Sequence, residues 1–269
     1  MVTKEEIINI ARRQKLPIGT IEKDFVLTFV LKKLFESELK DSLVFKGGTA
    51  LHKLYLHKRM SIDLDFTELK PINIEELKKI IEDKEIKSKV KEVNKTNNST
   101  KIVLNYESVL EYKNSIILDI SKREKPTLGL TTKNLKSPYF EKTTVLTFAL
   151  EELVAEKIRS IIQRNKPRDY LDLYYILGSR KLDFKKALEI AKKKLAATND
   201  KFDTKKIFSD LDIVKGLWEK DLKELVTNTP EFEKVLKKIK KYFKQNNAIN
   251  HQLLKNKKQG KTTTFLYVA

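Results

Sequence analysis

The chain has 269 residues, 40 % hydrophobic with seven glycines, so it is long enough for two ordinary domains and neither disordered nor fibrous in composition. The absence of cysteine excludes disulfide frameworks, zinc ribbons and thiol catalysis. The net charge is +19, from 28 basic and 21 acidic groups in residues 1–150 and 28 against 16 in the rest, and it leaves two readings open: a lysine-rich solvated surface, or a polyanionic partner such as RNA or DNA.

Met1 to Lys15 is charged and reads as a helix, with Thr3 and Glu6 at capping-box spacing and no signal segment. No apolar run reaches the length a bilayer requires, so a soluble, cytoplasmic protein without a membrane partner is expected. Thr20–Leu39 predicts a helix, and Leu43–Phe45 is a short apolar run that ends at two glycines. Thr49–Leu56 looks helical, Ile62–Phe66 looks like a strand, and Ile74 to about Lys89 has helical spacing. A polar turn over Asn94–Thr100 precedes two strands, Lys101–Tyr106 and Ser115–Ile120. This alternation predicts an α+β fold with a small mixed sheet. Beyond Leu150 the strand signals stop. Glu151–Arg164, Arg168–Leu177, Phe184–Leu195, Ile207–Val226 and Glu231–Phe243 read as helices, punctuated by Pro167 and Gly178. The chain is therefore divided into residues 1–145, a core domain with N-terminal helices, and 146–269, an all-helical domain. The latter closes in a polar, lysine-rich, loosely ordered stretch over Asn246–Ala269.

Three places depart from an ordinary fold. At Gly47-Gly48, between an apolar run and a helix, backbone N–H groups can converge on an anion, with Thr49 adding a hydroxyl donor; a tight turn is the plainer alternative. Asp63 and Asp65 alternate with Ile62, Leu64 and Phe66, so both carboxylates share one strand face and repel unless a cation sits between them. An oxygen-only set suits Mg²⁺ or Mn²⁺, with substrate phosphates completing the shell. Asp119, inside Ile116-Ile117-Leu118-Asp119-Ile120, adds a third carboxylate, although alone it reads equally as the partner of a lysine. Together these features read as a two-metal phosphoryl-transfer site, and Ser61 falls on its metal side. The third place is Lys157, inside the apolar stripe of Leu150, Leu153, Val154, Ile158, Ile161 and Ile162. Its ammonium either snorkels to water or is delivered into a cleft toward a triphosphate.

Weaker signals surround these. Arg168, Asp169 and Asp172 open the next helix, where the acids also suit its dipole. His52 and His57 do not share a helix face and make no zinc site, and Trp218 reads as core. Ten lysines between Lys234 and Lys261 read as an RNA-backbone track, with a solvated face as the alternative.

Gly47-Gly48-Thr49, then Asp63-Leu64-Asp65, then Leu118-Asp119-Ile120 resemble the polymerase-β-like nucleotidyltransferase superfamily. Phe45-Lys46-Gly47-Gly48-Thr49-Ala50-Leu51 and Arg59-Met60-Ser61-Ile62-Asp63-Leu64-Asp65-Phe66 are similar, more narrowly, to the AbiEii/AbiGii and MenT group of toxins from toxin–antitoxin and phage-defence pairs. Glu22-Lys23-Asp24-Phe25 and the stretch from Leu150 to Leu173 are also similar, so the resemblance covers roughly residues 18–178. Thr49 stands where the wider superfamily favours serine and keeps the hydroxyl. The resemblance implies a polymerase-β-like core, a nucleoside triphosphate as substrate, and Mg²⁺ or Mn²⁺ on Asp63, Asp65 and Asp119. It implies transfer of a nucleoside monophosphate to an RNA acceptor such as the 3′ end of tRNA, growth inhibition, and a separate antitoxin. It puts Lys157 and Asp169 in the active site, has Asp119 help deprotonate the acceptor, and assigns Lys46, Gly47, Gly48, Thr49, Ser61, Arg168 and Asp172 to nucleotide binding. A protein or small-molecule acceptor, or a silent nucleotide- or RNA-binding partner, is the rival reading.

Overall fold

The computed structural model describes residues 2–123 and 125–258, with side chains to Asn246; the end of the basic tail, residues 259–269, lies outside the described residues. Strands β1 (Leu43–Lys46), β2 (Asp63–Glu68), β3 (Lys89–Lys95), β4 (Ser99–Glu107), β5 (Lys113–Ser121), β6 (Thr131–Leu135) and β7 (Thr143–Thr147) form one mixed sheet in the order β3-β4-β5-β2-β1-β7-β6. β2 runs parallel to β5 and β1 parallel to β7, and the remaining neighbours are antiparallel.

Period-two alternation gives this sheet two unlike faces. Leu64, Phe66, Ile102, Leu104, Tyr106, Ile116, Leu118 and Ile120 are buried on one of them. After the N-terminal α1 (Lys4–Gln14), helix α2 (Ile18–Phe35) covers that face, its Phe35 ring lying 6.4 Å from Phe66, and α4 (Ile74–Ile81) packs against α2. The opposite face carries one row of charged residues paired strand to strand: Lys46, Asp65, Asp119 and Lys101 on β1, β2, β5 and β4. Helix α3 (Gly47–Leu51) leaves β1 directly and continues as a π-type turn over His52–Leu56. It touches α5 (Leu150–Arg164) and α6 (Pro167–Ile176), around which α7 (Phe184–Ala196), α8 (Leu211–Leu222) and α9 (Phe232–Lys258) gather. The fold is thus a mixed-sheet core followed by a helical C-terminal region.

The helix expected over Ile74–Lys89 ends at Ile81. Ser88 donates to the Ile81 carbonyl at 2.8 Å and closes the turn into β3, a lysine-rich edge strand whose composition imitates a helix. β3 and β6 are the sheet's edges and lack apolar alternation, so neither was legible as a strand. β7 is short, and it straddles the division drawn at residue 145. The helix expected over Ile207–Val226 begins only at Leu211, after Asp210 takes a left-handed backbone with φ 51°. The N-terminal capping box forms as expected: Glu6 accepts from the Thr3 N–H at 2.7 Å, and the Thr3 hydroxyl accepts from the Glu6 N–H. Trp218 is core, its indole donating to the Pro230 carbonyl at 2.8 Å. Among the described residues no helix is long and apolar enough to cross a membrane.

Candidate active site

The turn from β1 into α3 is built around Gly47. Its φ is +74°, and a Cβ there would sit 2.0 Å from Oδ2 of Asp65, so only glycine lets the backbone pass this close to the carboxylate. A Cβ on Gly48 would come 2.5 Å from the Arg59 guanidinium and 3.2 Å from Nζ of Lys157. The two glycines therefore stand between a carboxylate strand and a cationic helix. Thr49, expected to donate to phosphate, does not face the cleft. It is fully buried, its hydroxyl donating to the Asp63 carbonyl at 2.6 Å and lying 2.5 Å from the Ser61 hydroxyl. With its single proton used internally, Thr49 fixes the start of β2 instead.

Lys46, Gly47, Gly48, Ser61, Asp63, Asp65, Lys157, Arg168 and Asp169 all line one cleft of about 190 Å³, together with Arg59, Glu156, Arg159, Ser160 and Arg164. Asp65 sits on its floor. Burial first, and then the Asp63 carboxylate, push its pKa up to about 7 against the pull of Lys46 and Lys157. Asp119 lies in register beside Asp65 on β5 but is exposed and outside the cleft lining.

Facing the carboxylates is a buried ion-pair cluster. Lys157 on α5 bonds Asp169 at 3.1 Å and Asp172 at 2.9 Å, both on α6. Burial opposes its charge, but Asp172 and Asp169 together outweigh burial and hold the ammonium above its ordinary pKa. Asp169 also accepts two bonds from Arg164, at 2.9 and 3.0 Å. Asp172 accepts a fork from Arg59, at 2.6 and 2.9 Å. Burial alone would raise the Asp172 carboxyl, yet Arg59, Lys157 and His52 hold it well below its usual range. The Arg59 N–H reaches His52 Nδ1 at 3.3 Å, so His52 Nε2 carries the proton donated to Asp172 at 2.7 Å. Burial lowers the His52 pKa to about 4, which keeps the ring neutral.

Asp172, read from the sequence as a nucleotide contact, is completely buried and absent from the cleft lining. It reaches the cleft through Arg59 and Lys157, whose side chains it orients. Sequence reasoning passed over Arg59, Glu156 and Arg164. Arg59 and Arg164 follow no period, and Glu156 is one charge among many on α5, paired with Lys46 at 3.6 Å. Of the α9 lysines, Lys238 is engaged internally, donating to the Tyr174 carbonyl at 2.8 Å over that residue's ring.

Among the described residues no three His, Cys, Asp or Glu side chains form a ready-made cation site. Asp63 and Asp65 nevertheless fit a hard divalent cation of the kind held by one or two carboxylates plus substrate oxygens: they share a face, and burial, then the Asp63 carboxylate, drives Asp65 toward protonation in the absence of a cation.

The fold is similar to that of MenT4, a nucleotidyltransferase toxin from Mycobacterium tuberculosis H37Rv, with a TM-score of 0.72 at 19 % identity over 90 % of this chain and 89 % of that one. It is also similar to JHP933 from Helicobacter pylori, with a TM-score of 0.58 at 19 % identity over 88 % and 99 %. No curated protein matches the sequence. The family described as nucleotidyl transferase AbiEii toxin, type IV TA system, matches residues 30–238, a stretch that runs from α2 into α9 and includes every strand, glycine and ion pair of the cleft. The chain belongs to the AbiEii nucleotidyltransferase toxin family.

Proposed function

We propose that the protein uses a nucleoside triphosphate and Mg²⁺ or Mn²⁺ to transfer a nucleoside monophosphate to an RNA hydroxyl, the 3′ end of a tRNA being the acceptor. Loss of that end for aminoacylation would stop translation and growth until a cognate antitoxin neutralises the enzyme, and both substrates set its action in the cytoplasm. The observation that carries this reading is the meeting, in one cleft, of Asp63 and Asp65 with Lys157, Arg59, Arg164 and Arg168 across a glycine turn.

The acceptor oxygen attacks the α-phosphorus, the bond to the β-phosphate breaks, and pyrophosphate leaves. A divalent cation, held by Asp63 and Asp65 with Asp119 beside them, would supply Lewis-acid polarisation of the phosphates. Gly47 and Gly48 let Asp65, Arg59 and Lys157 close in on the turn whose backbone borders the phosphates, and Ser61 and Lys46 border them too. Lys157, Arg164 and Arg168 oppose the charge that grows on the leaving pyrophosphate. Asp119, exposed at the same sheet row as Asp65, takes the acceptor proton. Asp169 and Asp172 keep the cations in place. The division of labour between the strand-bearing residues 1–145 and the helical 146–269 follows: the first holds the carboxylates of the cation site, the second most of the cations.

The test is incubation with total RNA and each labelled nucleoside triphosphate in turn, with Mg²⁺ or with a chelator. Label in a small-RNA band, with pyrophosphate released and both abolished by chelation, is the expected result. Label on protein, or none on any RNA, removes the RNA acceptor.

A further inference from the structure

We propose that a basic groove adjoining the catalytic cleft seats the sugar–phosphate backbone of the acceptor, just upstream of its reacting end; the proposal rests on the reading that the acceptor is RNA. The groove encloses about 750 Å³, roughly four times the catalytic cleft. Its lining includes Arg123, Lys125, Arg159, Gln163, Lys193 and Lys194 and, among the described residues, no carboxylate. Arg159 lines both cavities, so the groove opens beside the cleft that holds Asp63 and Asp65.

The walls come from three separate segments, the β5–β6 connection, α5 and α7, and buried contacts fix them together. Glu152 on α5, fully buried, accepts from the Thr127 N–H at 2.8 Å and the Leu128 N–H at 2.9 Å. The same carboxylate pairs with Lys194 of α7 at 2.8 Å. Lys194 also reaches Glu156 at 3.3 Å, and Glu156 reaches Lys46 at 3.6 Å, which ties the groove wall to β1.

The charge is arranged differently from that of the catalytic cleft. There, Lys157, Arg59 and Arg164 each have a carboxylate partner. Here Arg123, Lys125 and Lys193 are exposed, and among the described residues none of them forms an ion pair. Cations without an ion pair among the described residues, set on two separate segments, the β5–β6 connection and α7, suit a chain of phosphodiesters rather than one compact anion. The connection that bears Arg123 starts directly after β5, the strand of Asp119, so the groove wall and that carboxylate are joined by a short run of chain.

The test compares binding of a short single-stranded RNA with a free 3′ hydroxyl to wild type, Lys125→Gln/Lys193→Gln and Lys125→Glu/Lys193→Glu across a salt series. A control pair, Lys79→Gln/Lys84→Gln, alters exposed lysines at and after α4, which packs with α2 on the opposite face of the sheet. The groove variants should bind RNA at least about tenfold more weakly, the reversal more so, and the neutral pair should lower the log–log salt slope by about 1.4, the loss of two single-strand phosphate contacts. Affinity for a Mg²⁺–nucleoside triphosphate, measured by calorimetry, should stay within about twofold. Unchanged RNA affinity and slope in the groove variants, or equal weakening in the control pair, overturns the groove. Weakened RNA binding in the groove variants, in a protein that labels no RNA in the transfer assay, leaves the groove standing and removes the acceptor instead.

Discussion

Lys157 occupies a position where an apolar helix stripe ordinarily carries leucine, and two aspartates hold it there. Breaking a buried pair outright costs about 3–5 kcal/mol. Lys157→Met would leave Asp169 with Arg164 and Asp172 with Arg59, so the expected loss is smaller, about 1–2 kcal/mol. Transfer should slow by about 100-fold or more, because a preorganised charge over the leaving phosphates is gone. Thermal denaturation and a single-turnover rate check this, and a rate within a few-fold of wild type would take Lys157 out of the chemistry. Two neighbouring groups bend stability in opposite directions with pH. His52 titrates near 4 in the fold against 6.5 when free, so between those values the unfolded chain binds a proton the folded one refuses, and stability falls with falling pH. Asp65 titrates near 7 against 3.8, so the folded chain keeps a proton the unfolded one has released, and stability falls with rising pH. His52→Gln should therefore leave a protein that weakens as pH rises from about 4.5 to 6.5, and Asp65→Asn one that strengthens over the same range. Melting curves across that window decide it; parallel trends in the two variants would contradict the assignment.

At the scale of elements, the β1–α3 turn is the narrowest part of the design. Gly47→Ala places a methyl carbon where Asp65 already lies and demands an unfavourable positive φ, so it should destabilise by about 1–3 kcal/mol and abolish transfer together. Gly48→Ala needs no positive φ but presses on the Arg59 guanidinium that Asp172 holds, so it should cost less stability than Gly47→Ala while weakening nucleotide binding. Denaturation midpoints alongside nucleotide titrations separate the two; equal behaviour of both variants would mean that the turn acts only as a turn. The glycines, the Asp63–Asp65 pair and Lys157 were legible beforehand because each violates a local period that a short window of sequence displays. The direction of the Thr49 hydroxyl is not legible, because a hydroxyl after such a turn looks the same in sequence whether it faces a phosphate or the Asp63 carbonyl. The edge strands β3 and β6 escaped because an edge needs no apolar alternation to pair.

Over the whole molecule, the cleft is assembled by pairs that no local window reveals. Asp172 meets Arg59 across 113 residues and His52 across 120, joining the strand-bearing half of the chain to the helical half. Fold class was legible from alternation followed by unbroken helices, but this joint was not, since neither Arg59 nor His52 stands in a pattern that foretells a partner. Asp172→Asn would leave Arg59 and Lys157 buried around a neutral group, so a loss of about 3–5 kcal/mol is expected, with no recovery on adding nucleotide alone. A variant as stable as wild type would contradict that role. On the proposed reading, the carboxylates of β2 and the cations facing them form one phosphoryl-transfer site. Its most direct measurement is single-turnover transfer from a labelled nucleoside triphosphate to RNA by Asp65→Asn, with melting followed without divalent metal. The expected result is a melting temperature equal to or above wild type, because burial and repulsion by Asp63 are relieved, together with a rate lower by about 100-fold or more. A well-folded Asp65→Asn protein that transfers at the wild-type rate would contradict it.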